Sequence, residues 1–162
     1  MGSGKTHWGE IWAAQNNLSF IDLDEVIELK EGCSIAEIFE TKGEAYFREI
    51  ESVSLRACAD LKNAVIACGG GTPCFDGNIN WMNDHGTTIY IACTIPEIME
   101  RVMAEKDKRP LLKKLNEAEV RFFIEQKLRE RAPFYTMANS IVQADTLNEA
   151  SLPGIISIHT IN

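Results

Sequence analysis

The sequence is poor in positive charge and lacks any long apolar run. Its 162 residues include 16 lysines and arginines against 24 aspartates and glutamates, a formal net charge of -8. Nucleic acids and anionic membranes bind proteins through a positive face, so this balance argues against both as partners. No apolar stretch approaches the ~20 residues of a membrane-spanning helix, and the first residues contain no apolar signal-peptide core. Any bound anion must therefore be held by a few cations inside a cleft.

Regular cysteine spacing is also lacking. The five cysteines are an odd number, and no two of them form a C-x-x-C pair. Because zinc sites and disulfide frameworks need such spacing, we interpret these residues as reduced, partly buried thiols of a cytoplasmic protein. With 45% hydrophobic and 25% charged residues, residues 1–162 fit a single domain with a real core.

Short apolar segments alternate with longer amphipathic ones along the chain. This alternation predicts an α/β fold in which helices cover a parallel sheet. The predicted strands are 18–21, 64–68, 87–93 and 140–144. The predicted helices are 5–16, 24–30, 34–39, 44–61, 96–104, 117–131 and a terminal helix after residue 147.

Two helix boundaries carry specific expectations. The helix 44–61 has apolar residues spaced for one buried face, namely Phe47, Ile50, Val53, Ala57 and Leu61. The helix 117–131 should stop before Pro133, since proline removes a backbone donor and disfavours the helical conformation of the residue before it.

The first residues, Met1-Gly2-Ser3-Gly4-Lys5-Thr6, contain a phosphate-binding signature. They match the second half of the Walker A pattern G-x-x-x-x-G-K-[ST], in which backbone N–H groups wrap a phosphate. The lysine of this pattern reaches the β- and γ-phosphates, and the threonine hydroxyl takes Mg²⁺. We therefore expect a phosphate site at residues 2–6.

Two further groups follow predicted strands. Asp22 and Asp24 follow the first, and Gly69, Gly70 and Gly71 follow the second. In an open α/β sheet ligands lie at the carboxyl ends of the strands, so both groups should face the phosphate loop. One aspartate could hold Mg²⁺ through water while the other orients or deprotonates an acceptor hydroxyl. The alternatives are a solvated turn with Asp24 capping the next helix, and a merely flexible glycine turn.

Cations for an anionic ligand come from three places in the chain. Two guanidiniums converging on one carboxylate would recognise an acidic metabolite bidentately, and Arg48 and Arg131 are the candidates. The segment around Arg109, Lys106 to Leu112, is charged and is either an idle loop or a lid that delivers Arg109 to a transferring phosphate.

Taken together, these motifs resemble the shikimate kinases, which are small P-loop kinases of the nucleoside-monophosphate-kinase superfamily. The resemblance runs from Met1 to about Asp145. Its motifs are G-S-G-K-T, D-x-D at Asp22, S-I-A-E-I-F at Ser34, G-E-x-x-F-R-x-x-E at Gly43, the glycine triplet, R-P-L-L at Arg109 and R-A-P-F-Y at Arg131.

The resemblance implies a three-layer α/β/α fold whose five-stranded parallel sheet has the order 2-3-1-4-5. It implies ATP- and Mg²⁺-dependent phosphorylation of the 3-hydroxyl of shikimate, giving shikimate 3-phosphate and ADP in aromatic amino-acid biosynthesis. It also implies a cytoplasmic monomer with a lid at about 105–116.

The resemblance assigns a role to each motif residue. On the nucleotide side, Gly2, Ser3, Gly4, Lys5 and Thr6 hold phosphates, Thr6 and Asp22 serve the metal, Arg101 packs on adenine and Arg109 is the lid arginine. On the acceptor side, Asp24 binds the hydroxyls and acts as base, Arg48 and Arg131 clamp the carboxylate, Gly70 and Gly71 contact hydroxyls, and Phe47 lines the pocket. The implied catalytic residues are Lys5, Asp24 and Arg109.

One departure from the family pattern concerns the first strand. Counting back from Gly4, the first glycine of the loop pattern would fall before Met1, and the central strand that feeds the loop would lie earlier still. Either the natural chain starts further upstream or this is a damaged remnant that binds nucleotide without turnover. We favour the first explanation because every downstream site residue is present. A gluconate-kinase-like enzyme is the remaining alternative, although a neutral polyol would not need two carboxylate clamps.

Overall fold

The computed structural model describes residues 2–104, 112 and 115–157. Their helices and strands alternate as the sequence pattern predicts. The strands are β1 (Ser19–Asp22), β2 (Ala64–Ala67), β3 (Ile89–Ala92) and β4 (Ser140–Gln143). The helices are α1 (Lys5–Gln15), α2 (Leu23–Glu31), α3 (Ile35–Thr41), α4 (Gly43–Arg56), α5 (Asn78–His85), α6 (Ile95–Ala104), α7 (Glu117–Tyr135) and α8 (Ser151–Ser157). No described helix is long and apolar enough to cross a bilayer.

The four strands form two parallel pairs. β1 pairs with β2, and β3 pairs with β4. Within the described part of the chain β2 and β3 are not hydrogen-bonded to each other, and a cleft of about 580 Å³ lies between them. Apolar side chains such as Val65 and Ile91 line this cleft, and Lys5 lies at its border. The pairs match the order 2-3-1-4-5 if β1, β2, β3 and β4 correspond to the strands numbered 2, 3, 4 and 5 in that order.

Three apolar clusters hold the helices against these strands. One surrounds Leu23 and Ile38 on the side of α2, α3 and α4, and a second surrounds Val102 and Val120 between α6 and α7. The third joins Trp12 of α1 to Ile91, Ala144, Leu152 and Ile155, with Val65 packed against it. α1 therefore contacts both strand pairs and sets the position of the loop at its N-terminus.

The expected extension of α4 to Leu61 is wrong. The helix ends at Arg56, and tight turns with hydrogen bonds between residues three apart follow it, including Ala59 N–H to the carbonyl of Arg56. Val53 and Leu61 are 56% and 48% exposed, so the predicted buried face does not include them. The buried face of the helix instead contains Phe47, Glu51 and Leu55.

The expected end of α7 before Pro133 is also wrong. The helix runs through Pro133 to Tyr135. Tertiary contacts hold the last turn, because the Tyr135 ring stacks on Tyr90 with centroids 4.7 Å apart and its hydroxyl donates to the Gly70 carbonyl. These contacts compensate for the backbone hydrogen bond that proline cannot make. Helix α5 was not expected, and it begins directly after Gly77.

Candidate active site

The phosphate loop leads directly into α1. Gly4 is the N-cap residue, its φ is 83°, and no side chain caps the helix. Within the described chain, the backbone N–H groups of residues 3–7 have no protein acceptor. The first turn contains no acidic residue, so the positive end of the helix dipole is not neutralised. Free N–H groups at a helix N-terminus are what an anionic phosphate needs.

Lys5, Thr6 and Asp22 form a polar cluster at the end of β1. The Thr6 hydroxyl donates to Asp22 Oδ2 at 2.9 Å, and Lys5 Nζ lies 3.6 Å from the same oxygen. Hydroxyl and carboxylate oxygens are hard donors that suit Mg²⁺. Among the described residues no three acidic, histidine or cysteine side chains form a metal cage. Mg²⁺ fits here as an ion held by one or two protein oxygens together with phosphates, as this metal usually is.

Asp24 lies in the first turn of α2. The cap of α2 is Asp22, whose Oδ1 accepts from the Asp24 N–H at 3.0 Å, so the Asp24 side chain is not used for capping. Burial raises the pKa of the Asp24 carboxyl, and the nearby Lys5 charge partly opposes that rise. A Cβ at Gly69 would lie 3.3 Å from Asp24 Oδ1, so the glycine leaves room for the carboxyl. Asp24 is thus placed between the phosphate loop and the glycine turn.

Arg48 is held in place by two carboxylates. Its Nη1 donates to Glu51 Oε2 at 2.7 Å, while Nε and Nη2 donate to Glu44 Oε1 at 3.3 and 3.1 Å. Glu51 is only 1% exposed, and its other oxygen accepts from the Thr72 hydroxyl at 2.6 Å. The guanidinium also lies 4.3 Å from the centroid of the Phe75 ring. This network fixes a cation at the edge of the glycine turn.

Phe47 and Gly71 pack around the same guanidinium. Phe47 is a core residue, 4% exposed, and its ring centroid lies 5.0 Å from the Arg48 Cζ. A Cβ at Gly71 would lie 2.7 Å from Arg48 Nη2 and 2.8 Å from Nη1. A side chain at this position would displace the guanidinium from its hydrogen bonds with Glu44 and Glu51.

Arg131 approaches the glycine turn from α7. Its charge acts on the nearby Tyr135 phenol, whose hydroxyl donates to the Gly70 carbonyl at 2.6 Å. No ion pair connects Arg131 with a carboxylate of the described chain. The charges of Arg131 and Arg48 both act on the Cys74 thiol just beyond the glycines. The two arginines proposed as a clamp therefore border one region.

Of the two remaining predicted nucleotide residues, Arg101 lies on α6. Arg101 Nη1 donates to the Gly2 carbonyl at 3.1 Å and contacts Cys93 Sγ at 3.5 Å, so its guanidinium lies along the phosphate loop. The Cys93 thiol also contacts the Ser3 carbonyl at 3.6 Å. Arg109 lies outside the described residues, as does most of the predicted lid at 105–116.

Three residues of the site had no assigned role in the sequence interpretation. Glu51 binds Arg48 and is itself bound by Thr72, and Tyr135 binds the Gly70 carbonyl. Glu51 could have been found, since it lies three residues after Arg48 and such residues are neighbours on a helix. Tyr135 was missed because the helix was expected to end before Pro133, which would have left Tyr135 outside it.

The fold and the site together define a class of protein. A P-loop phosphotransferase has these parts: a phosphate loop at a helix N-terminus, a hydroxyl–carboxylate pair that suits Mg²⁺, and an acid beside the loop, here the half-buried Asp24. The shikimate kinase family model matches residues 1–157. A shikimate kinase of Bacteroides thetaiotaomicron is 41% identical over 149 residues, covering 92% of this chain and 85% of the relative. One from Sulfurihydrogenibium is 38% identical over 145 residues, covering 90% and 84%.

Solved structures agree with the sequence relatives. Shikimate kinase from Bacteroides thetaiotaomicron superimposes with a TM-score of 0.91 at 38% identity, covering 99% of this chain and 94% of the other. Shikimate kinase from Acinetobacter baumannii in complex with shikimate gives a TM-score of 0.85 at 28% identity, covering 100% and 91%. The chain belongs to the shikimate kinase family. The predicted α/β P-loop kinase fold is thereby confirmed.

Proposed function

We propose that the site residues share the work of one reaction, the ATP- and Mg²⁺-dependent phosphorylation of the 3-hydroxyl of shikimate, the activity of the family. One observation carries the assignment of roles. Asp24 lies between the phosphate loop and a glycine turn that Arg48 and Arg131 border. The phosphate loop can bind the donor phosphate, Asp24 can bind the acceptor hydroxyl, and the two arginines can bind the substrate carboxylate.

The nucleotide side binds phosphate oxygens and neutralises their charge. The free N–H groups of residues 3–7 donate to the phosphates of ATP, and the Lys5 ammonium binds the β- and γ-phosphates. The Thr6 hydroxyl and the Asp22 carboxylate hold Mg²⁺, with Asp22 acting through water. When bound, Mg²⁺ supplies positive charge for the phosphate oxygens. Arg101, beside the loop, packs on the adenine.

The acceptor side orients shikimate and takes up a proton. Asp24 accepts a hydrogen bond from the 3-hydroxyl and receives its proton as the oxygen bonds to the transferred phosphorus, while ADP leaves. Arg48 and Arg131 bind the carboxylate, and Gly70 and Gly71 donate from their backbone N–H groups. Phe47 limits the pocket and supports Arg48.

Residues outside the described chain complete the proposal. We assign residues 105–116 to a lid that brings Arg109 to the transferring phosphate and excludes water.

Residues 1–162 act as one domain, as a monomer in the cytoplasm, without nucleic-acid or membrane partners. The net charge of -8 supports the last point. Light scattering should give a mass of about 18.1 kDa, and a doubled mass would contradict the monomer.

A coupled ADP-release assay with two acceptors tests the function. Shikimate should sustain ADP release, whereas gluconate at equal concentration should not rise above the rate without acceptor. Release with gluconate alone would favour a polyol kinase. Nucleotide binding without release for either acceptor would favour the impaired remnant.

A further inference from the structure

Tyr135 joins the two parts of the acceptor site that come from different regions of the chain. It ends α7, and its hydroxyl donates to the Gly70 carbonyl at 2.6 Å. Its ring stacks on Tyr90 with an interplanar angle of 29°. Burial raises the pKa of the Tyr135 phenol, so at neutral pH the hydroxyl keeps the proton that it donates.

Arg131 lies beside the same tyrosine. Arg131 lies four residues earlier on α7, so both side chains project from one face of the helix. The Arg131 charge opposes the rise of the Tyr135 pKa, and the two side chains line one small cavity. A phenol has one proton and two lone pairs, so it can accept from Arg131 while it donates to Gly70. A single oxygen atom can therefore connect the arginine to the glycine turn.

The bond to Gly70 has a consequence for the next residue. In a trans peptide the carbonyl and the following N–H point in opposite directions, and no cis peptide occurs in the described chain. Fixing the Gly70 carbonyl therefore fixes the direction of the Gly71 N–H. Within the described residues neither the Gly70 nor the Gly71 N–H has a protein acceptor. Tyr135 thus holds a free backbone donor in one orientation.

We propose that Tyr135 is a positioning residue for acceptor binding, whose hydroxyl fixes Arg131 and the Gly70–Gly71 peptide relative to each other. This inference rests on the proposed function of the site. Tyr135 contacts neither shikimate nor ATP in this role, and it acts only through the two groups that it orients.

A purely structural role is the competing explanation. Tyr135 closes the helix turn that contains Pro133, and its ring could do so without the hydroxyl. The variant Tyr135→Phe separates the two roles because it keeps the ring and removes only the oxygen. Tyr90→Phe is the matched control, since Tyr90 is the other ring of the stack and its hydroxyl has no partner in the described chain.

We expect Tyr135→Phe to raise the shikimate KM about tenfold, equivalent to about 1.4 kcal/mol of binding free energy. The ATP KM should change less than twofold, and Tyr90→Phe should leave both constants unchanged. Both variants should melt within a few degrees of the unaltered protein. An unchanged shikimate KM, or equal effects of the two variants, would overturn the inference.

A double-variant comparison tests whether Tyr135 acts through Arg131. In an Arg131→Ala background, Tyr135→Phe should raise the shikimate KM less than it does alone, because one of its two targets is gone. Equal fold-changes in both backgrounds would refute the link to Arg131.

Calorimetric titration of shikimate separates this inference from the proposed function. Shikimate binding that Tyr135→Phe weakens supports the positioning role even in a chain without turnover. Turnover with shikimate that is insensitive to Tyr135→Phe would leave the proposed function standing and remove this inference. A chain that neither binds nor phosphorylates shikimate would overturn both.

Discussion

The two sides of the site differ in how their polar groups are satisfied before a ligand arrives. On the acceptor side, protein partners already hold the main cation: Arg48 is paired with Glu51, and Glu51 with Thr72. On the nucleotide side, the N–H groups of residues 3–7 have no acceptor in the described chain. The acceptor side is a preformed network, and the phosphate loop is a set of open donors.

The proposed function accounts for this difference. Shikimate has one carboxylate and three hydroxyls, so its recognition depends on fixed directions, which buried pairs such as Arg48–Glu51 supply. A triphosphate has high charge and many equivalent oxygens, so free backbone donors and one lysine are sufficient. We therefore expect acceptor-side changes to alter the shikimate KM and loop changes to alter turnover.

Lys5→Ala should have the largest effect. Removing the ammonium should lower kcat by about 100- to 1000-fold, as the loss of a transition-state charge contact commonly does. Initial rates at saturating ATP and shikimate measure it. Lys30→Ala, an exposed lysine on α2, is the control and should be neutral. Wild-type turnover in Lys5→Ala would remove Lys5 from the transition state.

Arg131→Ala should act on the acceptor side alone. Because one half of the carboxylate clamp is lost, the shikimate KM should rise about 30-fold or more while the ATP KM is nearly unchanged. The exposed Arg129 on the same helix provides the control, Arg129→Ala. If both substrates lose affinity equally, the clamp assignment is refuted and the two sides are not independent.

Glu51→Gln tests whether the preformed network also stabilises the fold. Arg48 would lose its buried counter-charge, so the free energy of unfolding should fall by about 1–3 kcal/mol. The shikimate KM should rise because the guanidinium is less well fixed. Urea unfolding followed by tryptophan fluorescence measures the first effect, with the exposed Glu49→Gln as control. Unchanged stability would show that the pair orients Arg48 without stabilising the fold.

The smallest effect is expected at Glu44, where substitution should lower the shikimate KM and not raise it. This side chain is 58% exposed, and its carboxylate binds the Nε–Nη2 edge of Arg48. A substrate carboxylate would compete with it there, so Glu44→Gln should lower the shikimate KM about two- to threefold, the size of a weak exposed ion pair. Glu40→Gln, exposed and unpaired in the described chain, is the control. A raised KM would mean that Glu44 helps to orient Arg48.

The sequence predicted the residues that follow strands far better than those placed by tertiary contacts. Asp22 and Asp24 could be placed near the phosphate loop because parallel strands end at one edge of a sheet, so position in the chain implies position in space. Tyr135 could not, because the helix continues through Pro133 only where Tyr90 and Gly70 hold its last turn. The helix propensity of a short segment contains no information about tertiary partners such as Tyr90 and Gly70.

The same reason explains the wrong end of α4. The apolar spacing through Val53 and Leu61 fits a longer buried face, yet both side chains are exposed. Periodicity indicates which residues could share a face, and the packing of neighbouring elements decides whether that face is covered. The strand-pair order was predictable only through the family resemblance, since alternation alone does not number the strands.

Positions 4 and 71 are both glycine, but substitution is restricted for a different reason at each. At Gly4 the backbone has a φ of 83°, so even alanine would be strained there, and asparagine is the replacement that such a conformation tolerates best. At Gly71 φ is -90°, which any residue adopts, and the only obstacle is the Arg48 guanidinium 2.7 Å from where a methyl group would lie. Substitution at position 4 is limited by chain conformation, whereas at position 71 it is limited by the volume that a neighbouring charge occupies.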